Sequence, residues 1–348
     1  KILLHLTFIH IFAQIITWLI NSAKKWRNIV TLIYSILIAF FLDIIFGDPY
    51  GFPHPVIYIG KFITWMENLI RRNVQKKNFK KFGAVLLLST VSISFLTAYL
   101  VTGAAYRISL FAGIFVEGFI LYTTFSVKCL KDEAIKIYEV VNKGDLKEAR
   151  KALSYIVGRD TNELEFDDIN RAVIETVAEN TVDGFIAPLL YGLIGGAPLA
   201  IAYKAINTLD SMVGYKNEKY MDLGFFSAKT DDIANFIPAR LSPFFFSIGA
   251  LFLGYDYKNA FKISIRDRKN HSSPNSALSE GAVAGALGIQ LGGTNIYFGV
   301  PVFKPTIGDK TRKIDSGDIK KTCKLMYGCS ISSIIVMTVI FILKESMI

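Results

Sequence analysis

The densest run of charged and amide side chains lies between Gly158 and Asp183. Within it Glu175, Glu179 and Asp183 recur at intervals of four. On a helix that spacing lines three carboxylates along one slowly drifting face. Like charges so placed repel, and a helix keeps them only beside a cation. Spacing alone leaves two readings open. One is a Mg²⁺ site, with or without nucleotide phosphates, and Asn180 beside it. The other is a solvated acidic face offset by Arg171, one turn before Glu175. The flanking Ala172, Val173, Ile174, Val177, Ala178 and Phe185 favour burial.

Three further clusters carry polar groups. In Lys204–Ser211, Lys204, Asn207 and Ser211 share a helical face, with Asp210 three beyond Asn207. They leave an apolar segment, so Lys204 either meets a phosphate or a carboxylate, or snorkels to the interface. Asp231-Asp232 is followed by Asn235, Pro238 and Arg240; an isolated acidic pair is also common in surface loops. In His271–Glu280 the residues Ser272, Ser273, Pro274 and Asn275 form a turn that either caps the next helix or offers donors to a phosphate.

Other chemistries lack their residues. Cys129, Cys323 and Cys329 form no CxxC pair, and His5, His10, His54 and His271 are scattered, so neither zinc nor a disulfide framework is indicated. A hard cation held by carboxylates, such as Mg²⁺, is the metal that suits this chain. No Walker A loop and no strand-to-helix GxGxxG is present. Lys and Arg outnumber Asp and Glu, 39 to 29, for a net charge of +10. Their place beside apolar spans points to the bilayer and to anionic substrates, and away from nucleic acid.

The elements that must position these groups are membrane helices. Apolar residues make up 52% and charged ones 20% of 348, and mean hydropathy is +0.39. The expected class is an all-α integral membrane protein, a multi-span helical bundle with broken or re-entrant helices and a cytoplasmic helical portion. Residues 1–28 read as an uncleaved N-terminal extension helix. Residues 29–126 read as spans at 29–46, 82–102 and 108–126, the last two linked through Gly103–Arg107, with a basic cytoplasmic loop over 47–81. Inside that loop 61–73 is amphipathic, with Phe62, Trp65, Met66 and Leu69 on one face. Glu117 lies within a span, where a carboxylate is costly; it serves function or faces a neighbouring helix. Residues 127–184 read as a cytoplasmic helical region broken at Gly144-Asp145. Residues 185–300 read as a broken-helix catalytic region, since Pro188, Gly192, Gly195-Gly196 and Pro198 interrupt the apolar run. Residues 301–348 hold a C-terminal span at 326–343. If every apolar stretch crossed, 158–184 and 204–240 would face opposite sides, so at least one middle stretch must turn back.

Taken together the clusters resemble the CobD/CbiB family of cobalamin biosynthesis, the membrane-bound adenosylcobinamide-phosphate synthases. The resemblance rests on LDIIFGDPYGFPHPVIYIGKFI (42–63), YIVGRDT (155–161), the long run from ETVAENTVDGF to IPARL (175–241) and HSSPNSALSEGAVAGALGIQLGG (271–293), in that order. Residues 1–28 extend beyond the family's usual start, and SPNSALSE departs from its usual run while keeping Asn275 and Glu280.

The resemblance implies an ATP- and Mg²⁺-dependent amide ligase. It would join adenosylcobyric acid, the corrinoid substrate, to (R)-1-aminopropan-2-ol phosphate through an acyl phosphate, giving adenosylcobinamide phosphate. On that basis Glu175, Glu179, Lys204 and Asp210 are the expected catalytic residues. Glu179, Asp183, Asp231 and Asp232 are the expected metal ligands. His54, Arg159, Asn180, Asn207, Arg240 and Asn275 are expected to hold phosphates or substrate. The expected location is the cell membrane, multi-pass, with the site facing the cytoplasm, and a homo-oligomer stays open. Two other classes fit the hydropathy: a transporter, whose broken helices carry midplane polar groups, and a non-catalytic membrane sensor or scaffold.

Overall fold

The computed structural model describes residues 29–49, 51, 53–297 and 300–347. The expected extension helix over 1–28 lies outside the described residues. Among the described residues, five apolar segments are long enough to cross a membrane: Ile29–Phe46, Lys76–Ile108, Leu110–Asn142, Phe166–Val213 and Gly317–Lys344. With little else but helix around them, the chain is an all-α membrane protein.

Helix α1 (Ile29–Phe46) ends at the Gly47-Asp48-Pro49 break. Helix α2 (Pro55–Asn73) starts where Pro55 occupies its first turn and His54 caps it, Nδ1 accepting the Val56 N–H at 3.3 Å. Its protein-facing side is Ile59, Ile63, Met66 and Ile70. Trp65 and Leu69, expected on the same face as Met66, are exposed instead. A helix at a bilayer carries one apolar face for protein and another for lipid, and periodicity does not tell them apart.

Helices α3 (Phe79–Ile108) and α4 (Leu110–Tyr122) form a hairpin. The turn is at Ser109, not at Gly103–Arg107 as the glycine suggested. Gly103 has open space where a side chain would stand, so it sits in the helix without bending it. Ser109 is extended (φ −163°), and its Oγ accepts the Ala112 N–H at 3.0 Å, capping α4. Helices α5 (Val127–Asn142) and α6 (Leu146–Ser154) are separated at Gly144, with Asp145 capping α6.

Helix α7 (Phe166–Thr181) runs through the core, with Ile169, Val173, Ile174 and Val177 all buried. It passes into a single π-helical turn, Val182–Ile186, and then into α8 (Ala187–Val213). Helix α8 is two arms, not one rod. Gly195 and Gly196 leave helical geometry, Gly196 at φ +65° and ψ −163°. Tyr191 on the first arm stacks on Tyr203 of the second at 5.1 Å, and Asn207 reaches back to Asp183 at 3.2 Å. The chain therefore reverses at the glycine pair as a re-entrant hairpin. The break falls at the Gly195-Gly196 pair singled out in the sequence. Glu117 holds the tip: Oε1 accepts the Ala197 N–H at 3.4 Å, while Oε2 accepts the Tyr106 hydroxyl at 2.6 Å. Its carboxylate faces helix neighbours, the second of the two readings left open for it.

Helices α9 (Phe225–Ala234), α10 (Phe236–Phe252), α11 (Tyr257–Arg266) and α12 (Ser276–Leu287) follow. Beyond α12 the chain departs from expectation. Instead of a broken helix to residue 300, an antiparallel hairpin forms from β1 (Leu291–Tyr297) and β2 (Val300–Ile307), pairing Leu291 with Ile307 and Thr294 with Phe303. Gly292 and Gly293, both at positive φ, carry the bulge between the strands and break the helical pattern. Residue 300, expected to close the broken-helix region, is instead the first of β2. Helix α13 (Gly317–Met347) then packs along α10 and α7.

Candidate functional site

The re-entrant hairpin, α7, α9 and the turn before α12 meet around a small pocket of about 200 Å³. Glu179, Asp183, Asp210, Asp231 and Asp232 line it, with Asn235, Asn275 and Ser276. The π turn after α7 and the reversal at Gly195–Gly196 place Asp183 opposite Asn207. The Asn207 amide bridges two carboxylates, donating to Asp183 Oδ2 at 3.2 Å and to Asp231 Oδ1 at 3.4 Å. Asn235 donates to Asp231 Oδ2 at 3.0 Å and itself accepts the Tyr203 hydroxyl at 2.8 Å. Glu179 accepts the Ser276 hydroxyl at 2.5 Å. Burial and the nearby Asp210 carboxylate push Asp231 up to about 7.

The three-carboxylate face read from the sequence is therefore split. Glu179 and Asp183 enter the pocket; Glu175 does not line it. Its Oε2 pairs with Arg159 at 2.7 Å, and its Oε1 accepts the Gly292 N–H at 2.8 Å, tying α7 to β1. Arg171 pairs with Asp168 at 2.8 Å and stands 3.9 Å from Glu175. Arg159 is thus engaged by a carboxylate in this arrangement. Asn180 also does not line the pocket, and its amide donates to Thr176 O at 2.9 Å on its own helix. Glu280, fully buried nearby, is held well above the usual carboxylate range by burial and by Glu175 and Glu179.

A second cavity, about 730 Å³, opens beside the first and shares Lys216, Asp232 and Ser272 with it. Its charged lining is cationic apart from Asp232: Lys216, Lys229, Arg240, Arg268 and Lys269. Arg240 donates to Asn275 Oδ1 at 3.3 Å, and Asn275 donates to Asp232 O at 2.9 Å, so two expected residues join the cavities. Sequence reading passed over Lys216, Lys229, Arg268 and Lys269. The run Arg266–Lys269 was the available signal. His271 also lines this cavity, and burial holds it below its ordinary value.

His54 and Lys204 lie elsewhere, in a third cavity of about 600 Å³ between the end of α1, the start of α2 and α5. Asp48 shares it, and sequence reading did not single that residue out.

The metal expectation can be tested against the donor set. Among the described residues no group of three His, Cys, Asp or Glu side chains is assembled as a metal cage. Mg²⁺, however, is commonly held by one or two carboxylates, with waters and substrate phosphates completing its shell. A pair of aspartates joined through Asn207, next to a cationic cavity, fits that mode.

A family model described as CobD/Cbib protein matches residues 36–326. The chain is 51% identical over 311 residues to a protein of Clostridium perfringens named cobalamin biosynthesis protein CobD, covering 89% of this chain and 98% of that one. It is 50% identical to a protein of the same name from Geobacter metallireducens, covering 84% of this chain and 92% of the other. Cobalamin biosynthesis protein CbiB of Salmonella arizonae is also 50% identical, with the same coverage. No solved structure matches the chain. The family match spans the later part of α1, all three cavities and the first part of α13, and the chain belongs to the CobD/CbiB family.

Proposed function

We propose that this protein acts in cobalamin biosynthesis as an ATP-dependent amide ligase. It would join adenosylcobyric acid to (R)-1-aminopropan-2-ol phosphate to give adenosylcobinamide phosphate. The observation that carries the reading is the pair of adjoining cavities: a carboxylate pocket opening directly onto a cationic one. That pairing suits a nucleotide triphosphate, whose metal-binding end and phosphate chain need opposite charge.

The chemistry explains the need. A carboxylate does not accept an amine at neutral pH, because oxide would have to leave. Transfer of the ATP γ-phosphoryl group onto a carboxylate oxygen releases ADP and makes an acyl phosphate. Amine attack on its carbonyl carbon then expels phosphate. Asp183 and Asp231, the pair joined through Asn207, would hold Mg²⁺, which neutralises phosphoryl oxygens when bound. Lys216, Lys229, Arg240, Arg268 and Lys269 receive the phosphate groups. Glu179 takes the proton from the attacking ammonium, and Asp210, in the same pocket, orients it. Helices α7, α8 and α12 keep water from the acyl phosphate.

The test is ligation by the purified protein in detergent, with mass spectrometry of the corrinoid. The expected result is a mass gain matching the amide that requires both ATP and Mg²⁺. Binding of both substrates with no ATP-dependent amide would overturn the reading. Transport is the second reading, favoured by the re-entrant hairpin. Against it, the hairpin tip is packed on Glu117 and the polar residues gather at the arm ends. ATP-independent flux of corrinoid into sealed proteoliposomes would establish it.

A further inference from the structure

The third cavity differs chemically from the other two. Its walls are largely apolar, with Phe46, Pro49, Val56, Ile57 and Phe125 among them. Its charged groups are of both signs, with Asp48, Asp132 and Glu133 against Lys136 and Lys204. A polyphosphate would meet those three acids, so this is not a second phosphate site.

Two buried polar atoms here have no hydrogen-bond partner: Asp48 Oδ1 and His54 Nε2. They stand 3.5 Å apart without forming a hydrogen bond. His54 Nδ1 accepts the Val56 N–H, so the neutral ring carries its proton on Nε2, as a donor. Desolvation lowers the His54 pKa, which keeps the ring neutral. A buried donor and a buried acceptor side by side need a polar partner, and a ligand that displaces water here must supply one to each. The Lys204 ammonium also lines this cavity, and its charge interacts with Asp48 and Asp43 on this side and with Asp183 on the other. Lys204 is thus the link between this cavity and the carboxylate pocket.

The ligand that answers this set has a broad apolar face, at least one N–H donor, and an anionic oxygen directed at Lys204. Resting on the ligase reading, we propose that this cavity holds the carboxylate-bearing edge of the corrinoid. The Lys204 ammonium and His54 Nε2–H bind the reacting carboxylate, and Asp48 accepts from a neighbouring peripheral amide. The ring lies against Phe46, Ile57 and Phe125. Lys204 then presents the carboxylate toward Asp183, where the phosphoryl group arrives.

Equilibrium dialysis of the full-length protein in detergent, without ATP, tests this by the corrin absorbance retained. The probes are cobyric acid and the same corrinoid with the reacting carboxylate converted to a primary amide. A non-hydrolysable ATP analogue with Mg²⁺ reports on the other two cavities. Wild type should bind the acid at least tenfold more tightly than the amide. Lys204→Met should abolish that preference by weakening the acid alone. Asp48→Ala should weaken both corrinoids. His54→Asn, which keeps a capping side chain, should weaken the acid about tenfold. Ile57→Trp, at an exposed rim position, should block both corrinoids and leave the nucleotide analogue bound. If wild type binds cobyric acid and the Lys204→Met and Ile57→Trp proteins bind it equally well, the cavity assignment is overturned and the ligase reading stands. If wild type binds the nucleotide analogue but neither corrinoid, the ligase reading itself falls, and this one with it.

Discussion

Glu179 and Lys204 sit on opposite sides of the proposed reaction centre, one in the carboxylate pocket and the other in the corrinoid cavity. Removal of Glu179 withdraws the base for the amine, and removal of Lys204 withdraws the cation that holds the reacting carboxylate. Glu179→Ala and Lys204→Ala should each lower ligation by about 10²-fold or more, with unchanged thermal unfolding in detergent; near-normal turnover in either variant would refute its role. A different residue reports on stability. Asp267 is buried, which works to raise its pKa, but the Arg266 guanidinium at 2.7 Å and the Gly308 N–H at 2.8 Å outweigh this and hold it below the usual carboxylate range. A carboxyl group with a depressed folded pKa stabilises the fold above its unfolded value, about 4, and that contribution disappears as pH falls through the folded value. Asp267→Asn should therefore lower the unfolding temperature at neutral pH, and the gap from wild type should close as the pH is taken below about 4. A gap that stayed constant across that range would mean the charge is not what stabilises.

The element that builds the site is the re-entrant hairpin, and its tip is the sensitive point. Gly196 lies at φ +65°, and a Cβ there would run into Glu117 Oε1. Gly196→Ala should cost about 1–3 kcal/mol from backbone strain alone. It should also disturb the Asp183–Asn207 contact, so that turnover falls with stability. Gly103→Ala is the contrasting case, since nothing lies within 4 Å of the added carbon. Within helix α3 that change should be neutral or stabilising by up to about 1 kcal/mol. Thermal unfolding of the two variants side by side checks both; equal destabilisation would show that the tip geometry is not special.

At the scale of the whole molecule, the basic stretch between α2 and α3 and the segment after α8 lie together. Arg71 donates to Lys219 O at 3.0 Å and stacks over the Tyr220 ring. By the positive-inside rule the cationic stretch 71–81, at the end of α2 and the start of α3, is expected on a cytoplasmic face, and the carboxylate pocket includes Lys216, just before that contact. We therefore propose that the site faces the cytoplasm. Single cysteines introduced at Lys77 and Glu218, in a background with Cys129, Cys323 and Cys329 replaced by Ala, should both react with an impermeant maleimide in inside-out vesicles and neither in intact cells. Reaction of the two from opposite sides would overturn this topology.

Much of the fold was legible from the chain because hydropathy acts locally. Long apolar runs require helices in lipid, Gly47-Asp48-Pro49 marks a helix end, and Gly195-Gly196 with its flanking prolines marks a break. Family membership was legible too, from four ordered motifs. What local pattern does not contain is direction. Intervals of four predicted one face for Glu175, Glu179 and Asp183. The π turn at Val182–Ile186 and the Arg159 partner instead sent Glu175 to the β1 bulge and the other two to the pocket. Trp65 and Met66 are equally apolar, yet one faces outward and the other the core, because lipid and protein both accept apolar groups. Which acids converge was decided only by the reversal at Gly196, which brings Asn207 against Asp183 and Asp231. The sequence by itself determined that this is a helical membrane protein with carboxylates to spare. The tertiary structure decided which of them share a pocket, because that depends on contacts between residues far apart in the chain.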